Sequence, residues 1–239
     1  FPRTLPLPTA NKQAVPRPSA CTRAGLRIGS GEGEDDYRLG ARRGAIVRTA
    51  EGPRKKVRHF DLPGDAHYLT FSCYRGMPLL SKDRTRLWFL EELAKARDKH
   101  QFDLWAWVIM PEHVHLLICP RELAYRMKTI LPSIKKSVSH RAIRFLQEHA
   151  PEFLEKLTVR NRNRTYRRFW QAGPGYDANL YELESIYKAI EYIHNNPVRR
   201  GLVAHAADWP WSSARDWAGL GCPYINVDRT LPRLHPDGQ

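Results

Sequence analysis

Two histidines stand one residue apart in the apolar run VIMPEHVHLLICP, residues 108–120. Alternate residues of a strand share a face. His113 and His115 therefore point one way, while Val114, Leu116 and Ile118 point the other. Two imidazoles on one face are close enough to share a divalent ion, although two donors do not complete a coordination sphere. The same pair also reads as two hydrogen-bonded or exposed histidines on an open sheet face, and His-x-His occurs in cupin-type metal sites. The segment YELESIYKAIEYIHNNP, residues 181–197, offers further groups. At about 100° per residue, Leu183, Tyr187, Ile190 and His194 fall in one stripe, flanked by Ile186 and Ile193, that is predicted to face the core. Tyr192 falls on the opposite side with Ser185, Lys188 and Asn196. Tyr192 and Asn196 are neighbours at i, i+4. Either Tyr192 is a surface tyrosine, or it is a nucleophile beside an amide oxygen that ligates the same metal as the histidines. The sequence holds no HExxH, and alternation turns Glu112 away from the pair, so a metal-dependent hydrolase lacks its carboxylate.

These groups need elements to hold them. AHYLTFSCY (66–74) alternates and is rich in aromatic and β-branched residues, which predicts a strand. Residues 81–101 carry Leu87, Leu90, Leu93 and Ala94 at helical spacing behind the cap candidate Ser81. FDLWAWVIM (102–110) and HVHLLIC (113–119) are predicted as adjacent antiparallel strands, with Pro111 and Glu112 in the turn. A basic helix is predicted from Pro132 to His149, with Pro132 in its first turn. Residues 151–165 read as a loop. A fourth strand is expected before the Gly-Pro-Gly turn at 173–175, and a last helix over 181–197, stopped by Asn195, Asn196 and Pro197. The order β-α-β-β-α-β-α is a ferredoxin-like split unit plus one helix. Trp209, Pro210 and Trp211 are expected to pack the C-terminal segment.

Composition narrows the partner. Hydrophobic residues make up 42% and charged residues 27%, which suits a globular domain, but the net charge is +14, which suits a polyanion. Residues 1–58 hold thirteen Lys/Arg against five Asp/Glu, so they carry +8 of that charge. They show no apolar periodicity and are expected to be a disordered basic arm. The body divides into a domain over 59–219 and a C-terminal tail over 220–239. No stretch approaches the ~20 apolar residues of a membrane span, so no membrane partner is expected. No secretory h-region is present, and Cys21, Cys73, Cys119 and Cys222 lack CxxC spacing, so the expected setting is a reducing cytoplasm.

Four stretches together resemble a known family: WVIMPEHVHLLI (107–118), RFWQAGPGYDANL (168–180), YIHNNPVRRGLV (192–203) and DWPWSS (208–213). In content and order they resemble the single-tyrosine transposases of the His-hydrophobe-His endonuclease superfamily, most closely the REP-associated branch related to insertion-sequence 200-like transposases. The resemblance covers about residues 59–218. It implies an α+β fold, a ferredoxin-like antiparallel sheet with helices on one face and the tyrosine helix near the other. It implies that His113 and His115 are metal ligands, that Tyr192 is the catalytic tyrosine, and that Asn196 takes the place of a third, polar ligand, where many relatives carry Gln. The implied cofactor is Mg²⁺ or Mn²⁺, and the implied partner is single-stranded or hairpin DNA, bound by a monomer or a homodimer. The implied reaction is phosphodiester transesterification through a 5′-phosphotyrosine. A phenol with a reference pKa of about 10 is a weak nucleophile at neutral pH, and a bound ion compensates by polarising the phosphate. DNA contacts are expected from Lys135 and Lys136 on the basic helix and from Arg167, Arg168 and the base-stacking Trp170. A domesticated DNA-binding protein that has lost cleavage, and a purely electrostatic nucleic-acid binder, remain the competing readings.

Overall fold

The computed structural model describes residues 60–231, except Pro174. The disordered arm expected over 1–58 lies outside the described residues, as does the tail beyond 231. The first element is the alternating strand Ala66–Ser72 (β1), followed by the helix Asp83–His100 (α1). Ser81 does not cap α1; its Oγ donates to the Pro78 carbonyl at 2.6 Å, and Lys82 holds the cap position. Gln101, at φ 48°, ends α1 and turns the chain straight into Phe102–Ile109 (β2). β2 pairs antiparallel with His113–Pro120 (β3), as the short Pro111–Glu112 connection predicts.

The next helix, Met127–His149 (α2), starts five residues before the expected Pro132. Its first N–H, from Met127, donates to Asp61 Oδ1 at 2.9 Å. That cap comes from a residue far away in sequence, so no local pattern announces it. Pro132 sits in the second turn and costs only one backbone hydrogen bond. The segment predicted as a loop holds a helical turn, Leu154–Leu157 (α3), and a hairpin of Thr158–Asn161 (β4) and Arg164–Arg167 (β5). The hairpin is mostly exposed, so it lacks the apolar alternation that marks a half-buried strand.

The fourth strand of the main sheet, Tyr176–Leu180 (β6), follows the Gly-Pro-Gly turn and does not precede it. Before the turn, Trp170 makes only an isolated bridge with Cys73. Gly175 explains the placement: its φ is 89°, and a Cβ there would lie 2.2 Å from the Thr70 carbonyl oxygen. Only a glycine lets the turn close against β1 before pairing begins. The last long helix, Leu183–Arg199 (α4), runs through Pro197 and ends at Gly201, whose φ is 65°.

The main sheet has the order β2-β3-β1-β6, every neighbouring pair antiparallel, which is the ferredoxin-like order. Its two faces are covered separately. Leu69, Phe71, Val114, Leu116 and Ile118 pack under α1 and α2 with Phe89, Leu93, Ile134 and Val138. Ala66, Tyr68, Val108, Leu117 and Leu180 pack under α4 with Ile186, Ala189, Ile190 and Ile193. The sheet thus buries both sides, with the two helix layers opposed.

β2 is an edge strand, and the C-terminal segment covers it. Ile109 N–H donates to the Trp211 carbonyl at 2.8 Å and Ser213 N–H to the Trp107 carbonyl at 3.0 Å. A short helix, Ala214–Trp217 (α5), follows. Beyond it the segment after Gly219 is no free tail: Asp228 N–H donates to the Leu104 carbonyl at 2.9 Å, Leu104 N–H to Asp228 Oδ2 at 2.8 Å, and Trp105 Nε1–H to Thr230 Oγ1 at 2.8 Å. Backbone groups that would otherwise invite another strand are satisfied within the chain. Trp211 is buried and Trp209 donates to the Ile109 carbonyl, so the DWPWSS stretch packs as expected. Cys73, Cys119 and Cys222 are free thiols.

Candidate active site

The β1–β3 register sets Ser72 opposite His113 and Thr70 opposite His115. Both imidazoles lie on the α4 face, as alternation requires. Their Nε2 atoms are 3.1 Å apart. His115 is 5% exposed, and its Nδ1 lies 2.7 Å from Thr70 Oγ1 and 3.0 Å from Tyr68 Oη. His113 turns its Nδ1 to Glu112 Oε1 at 3.1 Å. The expectation that Glu112 faces away is therefore wrong. Glu112 belongs to the turn, where strand alternation does not hold.

α4 brings the remaining groups. Asn196 is buried, and its amide nitrogen lies 3.1 Å from His115 Nε2. The Tyr192 ring centroid is 5.7 Å from that of His115 and 6.2 Å from that of Tyr68, both edge-on. The Arg199 guanidinium sits 4.8 Å from the Tyr192 ring centre. The helix is rolled relative to the apolar stripe read from sequence. Ser185 and Asn196, expected outside, are buried; Tyr187 and Tyr192 are half-buried at the edge of the apolar cluster. An apolar period misses this roll because the surface that α4 covers is partly polar and takes an amide as readily as a leucine. His194 is buried as expected, with Nε2 2.8 Å from Ser213 Oγ.

Burial keeps the histidines neutral. It pulls His115 down to about 3, with His113 adding to the effect. It also lowers His113, against the opposing pull of the Glu112 carboxylate. Neutral imidazoles are the metal-binding form. Among the described residues no group of three His, Cys, Asp or Glu side chains is arranged to hold an ion. The set here is two imidazoles and an amide. It fits a cation on two counts. Two nitrogens bound to one ion at ~2.1 Å lie about 3.0–3.4 Å apart, which the 3.1 Å between the Nε2 atoms matches. Each Nδ1 is also engaged by an oxygen on its outer side, the arrangement that turns the Nε2 lone pairs inward. A half-turn of the Asn196 amide presents its oxygen to the same point.

The residues expected to hold DNA are not one cluster. Lys136 and Arg167 are exposed. Arg168 is half-buried over the Tyr166 ring and donates to its hydroxyl at 2.6 Å. Lys135 folds back over Phe71 and Trp170, with its Nζ 5.0 Å and 5.9 Å from the ring centres, and burial brings it down to about 8. Trp170 is 6% exposed, edge-on to Phe71, and its Nε1–H donates to the Lys135 carbonyl at 2.9 Å. It is a core residue with no free face, so it cannot stack on a base. Thr70, Tyr68, Arg199 and Arg200 were not singled out in the sequence, and Glu112 was read as facing away. Only pairing β1 to β3, and closing α4 on the β2–β3 turn, brings them in.

Residues 65–196, more than half of the chain, match the family model described as transposase, IS200 like. The chain belongs to this family of transposases. The match includes His113, His115 and Tyr192 and ends at Asn196. The chain is 28% identical over 137 residues to the REP-associated tyrosine transposase of Escherichia coli (strain K12), which covers 53% of this chain and 69% of that protein. A solved structure of a REP-associated tyrosine transposase bound to a REP hairpin is similar, with TM-score 0.54 and 21% identity over 75% of this chain and 98% of the other. That likeness is one of fold. No helix among the described residues is long and apolar enough to cross a membrane.

Proposed function

We infer that this transposase cuts and rejoins single-stranded DNA at the foot of a REP-like hairpin, with Tyr192 as nucleophile. The convergence of Tyr192 and Asn196, from one helix, on the His113–His115 pair of an opposed strand carries the reading. The Tyr192 hydroxyl attacks the scissile phosphorus. The bond to the 3′-oxygen breaks, and the 5′ side stays on the enzyme as a phosphotyrosine, which keeps the bond energy for rejoining. Arg199, whose guanidinium lies over the Tyr192 ring, is placed to meet the phosphate. His113, His115 and Asn196 would hold Mg²⁺ or Mn²⁺, which when bound supplies Lewis-acid polarisation of the phosphate. The half-buried setting of Tyr192 beside Tyr68 limits the approach of water, which favours strand transfer over hydrolysis.

The DNA duplex has a separate place to rest. β4 and β5 form a two-stranded ribbon carrying Arg160, Arg164 and Arg167, with Arg162 at its tip and no acidic residue from Thr158 to Arg167. Such a ribbon fits a major groove and its phosphates. Lys136 and Arg167, both exposed, would pair with DNA phosphates, whereas Arg168 donates to the Tyr166 hydroxyl and Lys135 to the Gly173 carbonyl. The relative bound to a REP hairpin supports hairpin DNA as the partner.

The test is to incubate the protein with end-labelled hairpin DNA carrying a single-stranded foot, with Mn²⁺, and to denature. A covalent adduct is expected, lost in Tyr192→Phe and in His113→Ala. Binding without an adduct under either metal would leave a DNA-binding protein that no longer cleaves.

A further inference from the structure

One carboxylate touches both halves of the site. Glu112 lies in the turn between β2 and β3, with its side chain 19% exposed. Its Oε1 is 3.1 Å from His113 Nδ1, and the same oxygen is 2.8 Å from Arg200 Nη1. Arg200 closes α4: its N–H donates to the Asn196 carbonyl at 3.2 Å, and Gly201 then turns the chain away. Arg200 thus stands one turn beyond Asn196 and two beyond Tyr192 on the same helix.

We propose that Glu112 is a positioning residue: it holds His113 in the tautomer whose Nε2 lone pair faces His115, and through Arg200 it ties the end of the tyrosine helix to the same carboxylate. The proposal rests on the reading of the His pair and Tyr192 as one site. An ionised carboxylate only accepts, so His113 Nδ1 must carry the hydrogen and Nε2 is left bare. His115 is held differently. Its Nδ1 faces two hydroxyls, Thr70 Oγ1 and Tyr68 Oη, and each can donate or accept. His115 can therefore take either tautomer, whereas His113 has one. With the Asn196 amide turned so that its oxygen faces His115 Nε2, the hydrogens of the metal-free protein run in a single direction, from His115 Nε2 to His113 Nε2 and from His113 Nδ1 to Glu112. The orientation of the whole pair is set at the Glu112 end.

The Arg200 side chain is 56% exposed, so its pairing with Glu112 adds little stability. Its effect is geometric. The guanidinium fixes where α4 ends relative to the turn that precedes His113, and so where Tyr192 points.

Three variants separate the two parts: Glu112→Gln, Glu112→Ala and Arg200→Ala. Imidazole-nitrogen NMR on metal-free protein reads the tautomer directly, and calorimetry with Mn²⁺ alone reads the affinity of the pair. Wild type should show His113 with hydrogen on Nδ1. Glu112→Ala should lose that preference and weaken Mn²⁺ binding about 10- to 100-fold. Glu112→Gln keeps an accepting oxygen and should restore most of both. Arg200→Ala should leave tautomer and Mn²⁺ affinity unchanged while slowing adduct formation about tenfold. A His113 tautomer with hydrogen on Nε2 in wild type, or Glu112→Ala behaving as wild type in both readouts, overturns the histidine half. An unchanged adduct rate in Arg200→Ala overturns the helix half. If wild type binds no Mn²⁺, the metal reading of the site fails, while the tautomer spectra still decide the role of Glu112.

Discussion

Replacing Ser213 with alanine should destabilise the fold well beyond what one small surface-type residue suggests. Ser213 is 0% exposed and joins three elements. Its Oγ accepts from the Trp107 N–H at 2.9 Å, on the outer edge of β2, and lies 2.8 Å from His194 Nε2 on α4. Alanine removes one oxygen and strands two buried polar groups. Each stranded group costs about 1–3 kcal/mol, so the loss is about 2–6 kcal/mol. That is a large share of the ~5–15 kcal/mol stability of a domain. With a urea m-value of about 2 kcal/mol/M, the midpoint should fall by about 1–3 M. Tryptophan fluorescence in urea measures it. Ser133→Ala is the control, because Ser133 Oγ only donates back to the Ile130 carbonyl of its own helix; it should shift the midpoint by less than about 0.3 M. A Ser213→Ala shift as small as that control would refute the claim that this hydroxyl clamps α4 to the sheet edge.

Acid should unfold the metal-free protein early. Burial pulls His115 down to about 3 and His194 down to about 4, with Arg229 adding to the latter. The folded state refuses protons that the unfolded chain takes up below its ordinary histidine value of about 6.5, so the stability present above pH 6.5 is lost as pH falls toward 4. Two such groups give a slope of about 2.7 kcal/mol per pH unit; urea midpoints that stay level from pH 6.5 to 5 contradict it. At the turn before β6, Gly175→Ala should cost at least about 2 kcal/mol, since a Cβ there meets the Thr70 carbonyl oxygen at 2.2 Å, whereas Gly64→Ala, in open space at a similar φ, should cost about 1 kcal/mol. Equal thermal shifts for the two would show that the close approach to β1 does not matter.

The sequence was most legible where a regular period met an apolar surface. Val114, Leu116 and Ile118 placed β3 and so set the side on which His113 and His115 lie. The strand order followed from the β-α-β-β-α-β pattern. Legibility failed where distant or polar contacts decide. Asp61 caps α2 from across the fold, so its start was misplaced. The β4–β5 ribbon carries arginines in place of an apolar face. Trp170 carried no sign that Phe71 and Phe89 would enclose it. The roll of α4 depended on Asn196 fitting beside His115, which no hydrophobic period encodes. Tyr192, His113, His115 and Asn196 were named from sequence as candidates, and the structure brings the four together.

If Tyr192 is the nucleophile, its hydroxyl becomes bonded to DNA. The most direct measurement isolates the denaturation-resistant adduct, digests it with trypsin and nuclease, and sequences the nucleotide-bearing peptide by mass spectrometry. The expected mass is that of a 5′-nucleotide on the peptide spanning 189–199, AIEYIHNNPVR, whose single tyrosine is Tyr192. A nucleotide on any other tyrosine, such as Tyr68 or Tyr176, or cleaved DNA with no peptide attached, would contradict it.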